Sequence, residues 1–82
     1  MTSNGYSPET VQELQVHIGN TVRAFKKKHR MSHARFGETS GLSPDRVARI
    51  TKGRCDLRVR DLLRISLTLQ VAASQLLNNA GL

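Results

Sequence analysis

Between Ser32 and Gly53 the chain carries start and stop signals for two very short helices, one directly after the other. Ser32 can cap a helix running from about His33 to Ser40, and Gly41 ends it, because glycine takes a left-handed backbone at no steric cost. Ser43-Pro44-Asp45 is a second start: serine caps, proline suits the first helical position and an acid suits the first turn. This helix runs to about Lys52, and Gly53 stops it. Two short helices joined by the tight turn Gly41-Leu42-Ser43 form a helix-turn-helix. In the later one, Val47 and Ile50 share a face and can rest on Phe36 and Leu42, while Asp45, Arg46 and Arg49 take the opposite face with Lys52 at the exit. Gly37 stands inside the earlier helix, where it costs about 1 kcal/mol against alanine. It is therefore expected where the two helices approach closely, with leucine excluded there and alanine tolerated or stabilising.

The rest of the chain is helical by pattern. Ser7-Pro8-Glu9 is a helix start, and Val11, Leu14, Ile18, Val22 and Phe25 follow at spacings of three and four. Gly19 predicts a bend or a break in that helix. Lys26, Lys27 and Lys28 crowd its last turn, where cations suit the dipole. A fourth helix is expected after Asp56–Arg58, with Val59, Leu62, Leu63, Ser66 and Gln70 on one stripe and Ile65, Leu67 and Leu69 beside it. A fifth is expected over Val71–Asn79. Strand-like alternation is missing throughout. The expected fold class is all-α, a compact bundle of four to five helices. Residues 1–7 are expected as an N-terminal tail and 8–82 as one helix-turn-helix domain with a C-terminal part of its own.

Charge divides the chain into three. Residues 1–22 hold Glu9 and Glu13 and no basic side chain. Residues 23–64 hold all 13 Lys and Arg against four acids, and residues 65–82 hold no charged side chain. A polyanion suits the basic middle; the competing reading is a solvated face that keeps the chain soluble. The neutral end is interrupted by Ser66, Gln70, Ser74, Gln75, Asn78 and Asn79, too polar for a membrane span of about 20 apolar residues. The single Cys55 excludes an internal disulfide and fits a reducing, cytoplasmic setting. Placed in a basic stretch, it is read as an incidental thiol rather than a redox switch. His29 and His33 stand at metal-ligand spacing, but a turn separates them and no third ligand is near, so no metal is expected, and no cofactor. Three scattered histidines in so short a chain supply no nucleophile and base held in a pocket, which argues against an enzyme.

These pieces, in order, resemble the lambda-repressor-like, Cro/C1-type (XRE) helix-turn-helix family. The likeness covers roughly residues 18–77. It is carried by Ile18, Val22 and Phe25; by Met31-Ser32-His33, Phe36-Gly37 and Gly41-Leu42-Ser43; by Val47-Ala48-Arg49-Ile50 with Lys52-Gly53; and by Leu62-Leu63-Arg64-Ile65 through Leu69-Gln70-Val71 to Leu76-Leu77. It implies a sequence-specific duplex-DNA-binding transcriptional regulator, usually a repressor, that binds an inverted-repeat operator as a homodimer. The residues aimed at base edges would be Pro44, Asp45, Arg46 and Arg49. Arg46 and Arg49 can each make a bidentate contact to guanine. Asp45 can accept from cytosine or pair with Arg49 one turn on; both stay open. Phosphate contacts would come from Lys26, Lys28, Ser32, His33, Lys52, Arg54 and Arg58, and dimer contacts from Leu69, Val71, Leu76 and Leu77.

The departures from the family pattern are informative. Glutamine is common in the family where His33 and Pro44 stand here, so the operator should differ. Glutamate is common where Thr51 stands, which frees Lys26 for a phosphate. Glycine and serine are common at the positions of Gln70 and Ala72, so the break between the last two helices is expected to be displaced. Arg58 stands at a usual cap position, which moves the fourth helix's cap to Asp56 or leaves that helix uncapped. An antitoxin-like module that neutralises a toxin or other regulatory protein, and binds DNA secondarily, is the alternative. No aromatic platform for stacking single strands is present, which argues against RNA.

Overall fold

The computed structural model describes residues 8–79, which form five helices: α1 Pro8–Lys28, α2 His33–Ser40, α3 Pro44–Thr51, α4 Val59–Leu69 and α5 Ala73–Asn79. The expected tail and the cap at Ser7 lie outside the described residues. Among the described residues there is no strand and no helix long and apolar enough to cross a membrane.

The short central helices are fixed by the signals that announced them. Ser32 Oγ accepts from the Arg35 backbone N–H at 3.0 Å, and Ser43 Oγ accepts from that of Arg46 at 3.1 Å. Each cap is worth about 1 kcal/mol. Gly41 closes α2 with φ of 81°, its N–H donating to the Gly37 carbonyl. The core takes one face from each of the five helices: Ile18 and Val22 of α1, Phe36 of α2, Val47 and Ile50 of α3, Ile65 of α4 and Leu76 of α5 are buried. Each such side chain contributes about 1.5–3 kcal/mol. Phe25 meets Phe36 edge-on, ring centres 6.0 Å apart.

Two glycines set how closely the helices approach. A Cβ on Gly19 would lie 2.5 Å from the Ile50 carbonyl oxygen, so this glycine admits the end of α3 against α1. α1 runs through it without the expected break. A Cβ on Gly37 would stand deep inside contact distance of the Leu42 carbonyl oxygen. The expectation that alanine is tolerated there is therefore corrected: the neighbour is backbone and cannot turn aside.

α4 buries members of both expected stripes and exposes others. Ile65, Ser66 and Asp61 are buried, while Val59, Leu63 and Leu67 are exposed. The cause is polar. Asp61 turns inward to meet Arg46 and accepts the Arg58 N–H at 2.9 Å, which caps the helix from its third residue. Arg58 takes the cap position, not Asp56. At the far end Gln70 adopts a left-handed backbone (φ 60°), and α5 begins at Ala73, two residues later than expected.

Candidate nucleic-acid interface

α3 turns Val47 and Ile50 inward, which leaves Pro44, Asp45 and Arg49 exposed on its outer face with Lys52 at its end. Among the described residues, ion pairs form only between Arg35 and Glu38 and between Arg46 and Asp61. Asp45 therefore does not hold Arg49, and both present unpaired polar groups to solvent.

Arg46 is placed differently from the other three. Its guanidinium folds back across the turn onto α4. There Nε donates to Asp61 Oδ1 at 3.3 Å, and Nη2 donates to Asp61 Oδ2 and to the Asp56 carbonyl at 2.6 Å. Burial raises the Asp61 pKa, but the Arg46 hydrogen bond, the Arg58 N–H and the nearby arginine charges outweigh it and hold the carboxyl below its ordinary value. The same bond raises Arg46, against some desolvation. With two of its three nitrogens committed, Arg46 ties the outer helix to the scaffold. Sequence missed this pairing because the partners lie fifteen positions apart. The one local sign was an acid at the third position of a helix.

A second group of residues converges beside α3. Lys26, near the end of α1, donates to Nδ1 of His33, the first residue of α2. An ammonium only donates, so the imidazole accepts at Nδ1 and carries its proton at Nε2. Lys26 was expected to be unpartnered; it is instead half-buried and hydrogen-bonded. Partial burial, then the charges of Lys26 and Lys52, lower the His33 pKa. Burial and Arg23 lower that of Lys26. Three basic side chains from α1, α2 and the end of α3 thus share one small region with no acid paired to them. Arg23 anchors it by donating to the Thr51 carbonyl at 2.9 Å.

The remaining expected residues divide. Ser32 spends its hydroxyl oxygen on its own cap. Arg54 is exposed in the loop after α3. Arg58 lines a cleft of about 460 Å³ with Gly41, Ser43, Arg46 and Arg60. Lys28 lies elsewhere, in a cleft with Thr68, Leu69 and Gln70 at the end of α4. Of the expected dimer residues, Leu76 is buried in this chain's own core, while Leu69, Val71 and Leu77 are half-buried. No group of three or more potential metal ligands forms among the described residues.

No protein-family model matches the chain. Comparison with curated proteins gives no significant match. Two crystal structures of the clp gene regulator ClgR from Corynebacterium glutamicum are similar in fold. One has a TM-score of 0.66 and the other 0.68, each at 20% sequence identity and over 83% of this chain, covering 88% and 72% of theirs. The chain therefore shares its fold with those structures over most of its length.

Proposed function

We propose that the chain is a sequence-specific duplex-DNA-binding transcriptional regulator, a repressor that binds an inverted-repeat operator as a homodimer. The observation that carries this reading is the outer face of α3. Asp45 and Arg49 stand exposed and unpaired there, on a helix held rigidly by two caps and the Arg46–Asp61 bridge. Arg49 reads guanine through a bidentate contact, Asp45 accepts from a cytosine amino group, and Pro44 offers apolar contact to a thymine methyl. Arg46 acts as the anchor of the reading helix rather than as a reader.

Phosphates seat the protein without specifying sequence. Lys26, His33 and Lys52 flank one phosphate, with His33 donating from Nε2, and Arg54 and Arg58 reach the backbone beyond. The fold shared with the clp gene regulator ClgR supports this reading. Two protomers related by a twofold axis would set their α3 helices about 34–36 Å apart, one turn of duplex.

The test is a salt titration of affinity for a selected duplex, compared with RNA and single strands. Four cationic phosphate contacts per protomer predict that log K falls with log salt at a slope of about 3–4 for each half-site engaged. A flat titration, or equal affinity for all three nucleic acids, contradicts the reading.

A further inference from the structure

The face of α4 that points away from the core is unusual for a domain this small. Val59, Leu63 and Leu67 are 73%, 50% and 77% exposed. They recur every fourth residue and form a stripe about 12 Å long on the helix surface. Beside the stripe, a groove of about 720 Å³ runs between α4 and the end of α2, edged by Arg60 and Arg64 and floored partly by Thr39, Ser40 and Thr68. Soluble monomers rarely leave a continuous apolar patch of this kind without a use for it.

The polar chemistry of the groove is one-sided. The hydroxyls of Thr39, Ser40 and Thr68 each donate to the carbonyl one turn back, at 3.0, 2.8 and 2.8 Å. They are spent on their own helices. Arg64 partly caps α2, with Nη1 donating to the Ser40 and Gly41 carbonyls at 3.4 Å. The exposed polar groups that remain are the guanidinium donors of Arg60 and Arg64 and the neutral carboxamide of Gln70, so the only charge at the edge is positive. Acids are absent from the face: Asp61 is buried against Arg46, and Glu38 pairs with Arg35. An occupant must bring apolar side chains at helical spacing and carboxylates alongside them.

We propose that this groove docks an acidic amphipathic helix of a partner protein, its apolar positions set on Leu63 and Leu67 and its carboxylates on Arg60 and Arg64. Helix-in-groove recognition uses anchors at this spacing. The chain's own segments outside the described residues, 1–7 and 80–82, contain no acidic side chain. A second copy paired symmetrically through this face would bring the same arginines together with no acid of the groove between them. The groove lies at the C-terminal end of α2, while the Lys26–His33 pair lies at its N-terminal end. Docking therefore leaves the Lys26–His33 pair clear, while Arg60 and Arg64 line both this groove and the cleft that holds Arg58.

The probe is a synthetic helical peptide of about four turns, with leucines at i, i+4 and i+7 flanked by glutamates, titrated into the isotopically labelled full chain and followed by amide chemical shifts. The expected result is saturable shifts confined to the groove residues, among them Thr39, Leu63, Leu67 and Gln70. Affinity should fall about tenfold in Leu67→Ser, which removes one apolar anchor, and in Arg60→Glu. A peptide with lysine for every glutamate should bind Arg60→Glu better than the native chain. The proposal is overturned by shifts elsewhere, by no saturation at millimolar peptide, or by equal binding of both peptides. It is also overturned if Leu67→Ser dissolves a self-associated form in sedimentation, which makes a second copy the occupant. Loss of duplex affinity in Leu67→Ser and Arg60→Glu would assign the face to nucleic acid and overturn it likewise.

Discussion

Replacing Arg46 by alanine should damage the fold before it damages base recognition. The Arg46 side chain is 22% exposed and that of Asp61 only 5%. Removing one partner of a fully buried pair costs about 3–5 kcal/mol. Because one edge of Arg46 faces water, about 2–4 kcal/mol is expected here. In a domain of this size each kcal/mol moves the melting temperature by about 4–8 °C. Arg46→Ala should therefore melt on the order of 10–25 °C lower. Asp61→Ala should be at least as costly, since it also strips the Arg58 N–H of its acceptor. A double substitution to leucine at both positions should recover much of the loss, giving a coupling energy of at least about 1 kcal/mol in a double-mutant cycle. The pair also sets the acid limit. The Asp61 pKa is lowered in the folded state, so the unfolded chain binds more protons and stability rises with pH. The contribution is complete above the unfolded carboxyl value, about 3.9, and is lost as pH falls through the folded one. Asp61→Asn should flatten that acid limb. The reasoning is refuted if Arg46→Ala melts like the parent while its base preference changes at one position.

Three further substitutions separate packing, backbone and phosphate contributions. Gly37→Ala should destabilise by about 1–2 kcal/mol, overpacking against the Leu42 carbonyl outweighing the gain in helix propensity; a raised melting temperature would show that the α2–α3 turn yields. Gln70→Gly should stabilise by about 0.5–1 kcal/mol, because it removes the left-handed strain of a side-chain-bearing residue against a modest entropy penalty, and an unchanged denaturation midpoint would count against that strain. Lys52→Ala should weaken all duplex sequences alike and lower the salt slope by about 1 per half-site; a change confined to one base position would move Lys52 from phosphate to base edge.

The helix-turn-helix was legible because its signals are local. Ser32, Gly41, Ser43 and Pro44 each act on the turn they occupy, and the observed bounds of α2 and α3 match that reading to within a residue. What stayed hidden depends on contacts between distant positions. Arg46 looked like a base reader from its helical face, and only the placement of Asp61 shows the guanidinium turned inward. The same pairing turns the Asp61 side of α4 inward, and the spacing alone did not tell that Val59 and Leu63 face outward. Gly19 looked like a helix breaker because propensity was weighed without its neighbour; the approach of Ile50 explains it. The Lys26–His33 pair was half legible. Both residues were marked for phosphate, but their mutual hydrogen bond depends on how α1 lies against α2.

The central claim is that α3 reads base edges with Asp45 and Arg49 while Arg46 holds it in place. Selection of bound duplexes from a random pool tests it most directly, performed with the native chain and with Arg49→Ala at matched salt. The account predicts an inverted repeat with half-site centres about 10 base pairs apart. It also predicts that Arg49→Ala relaxes one guanine position in each half-site, at a cost of about 1–3 kcal/mol there, while the rest of the consensus is kept. An unstructured consensus from the native chain, or the same consensus from both proteins at every position, would contradict it.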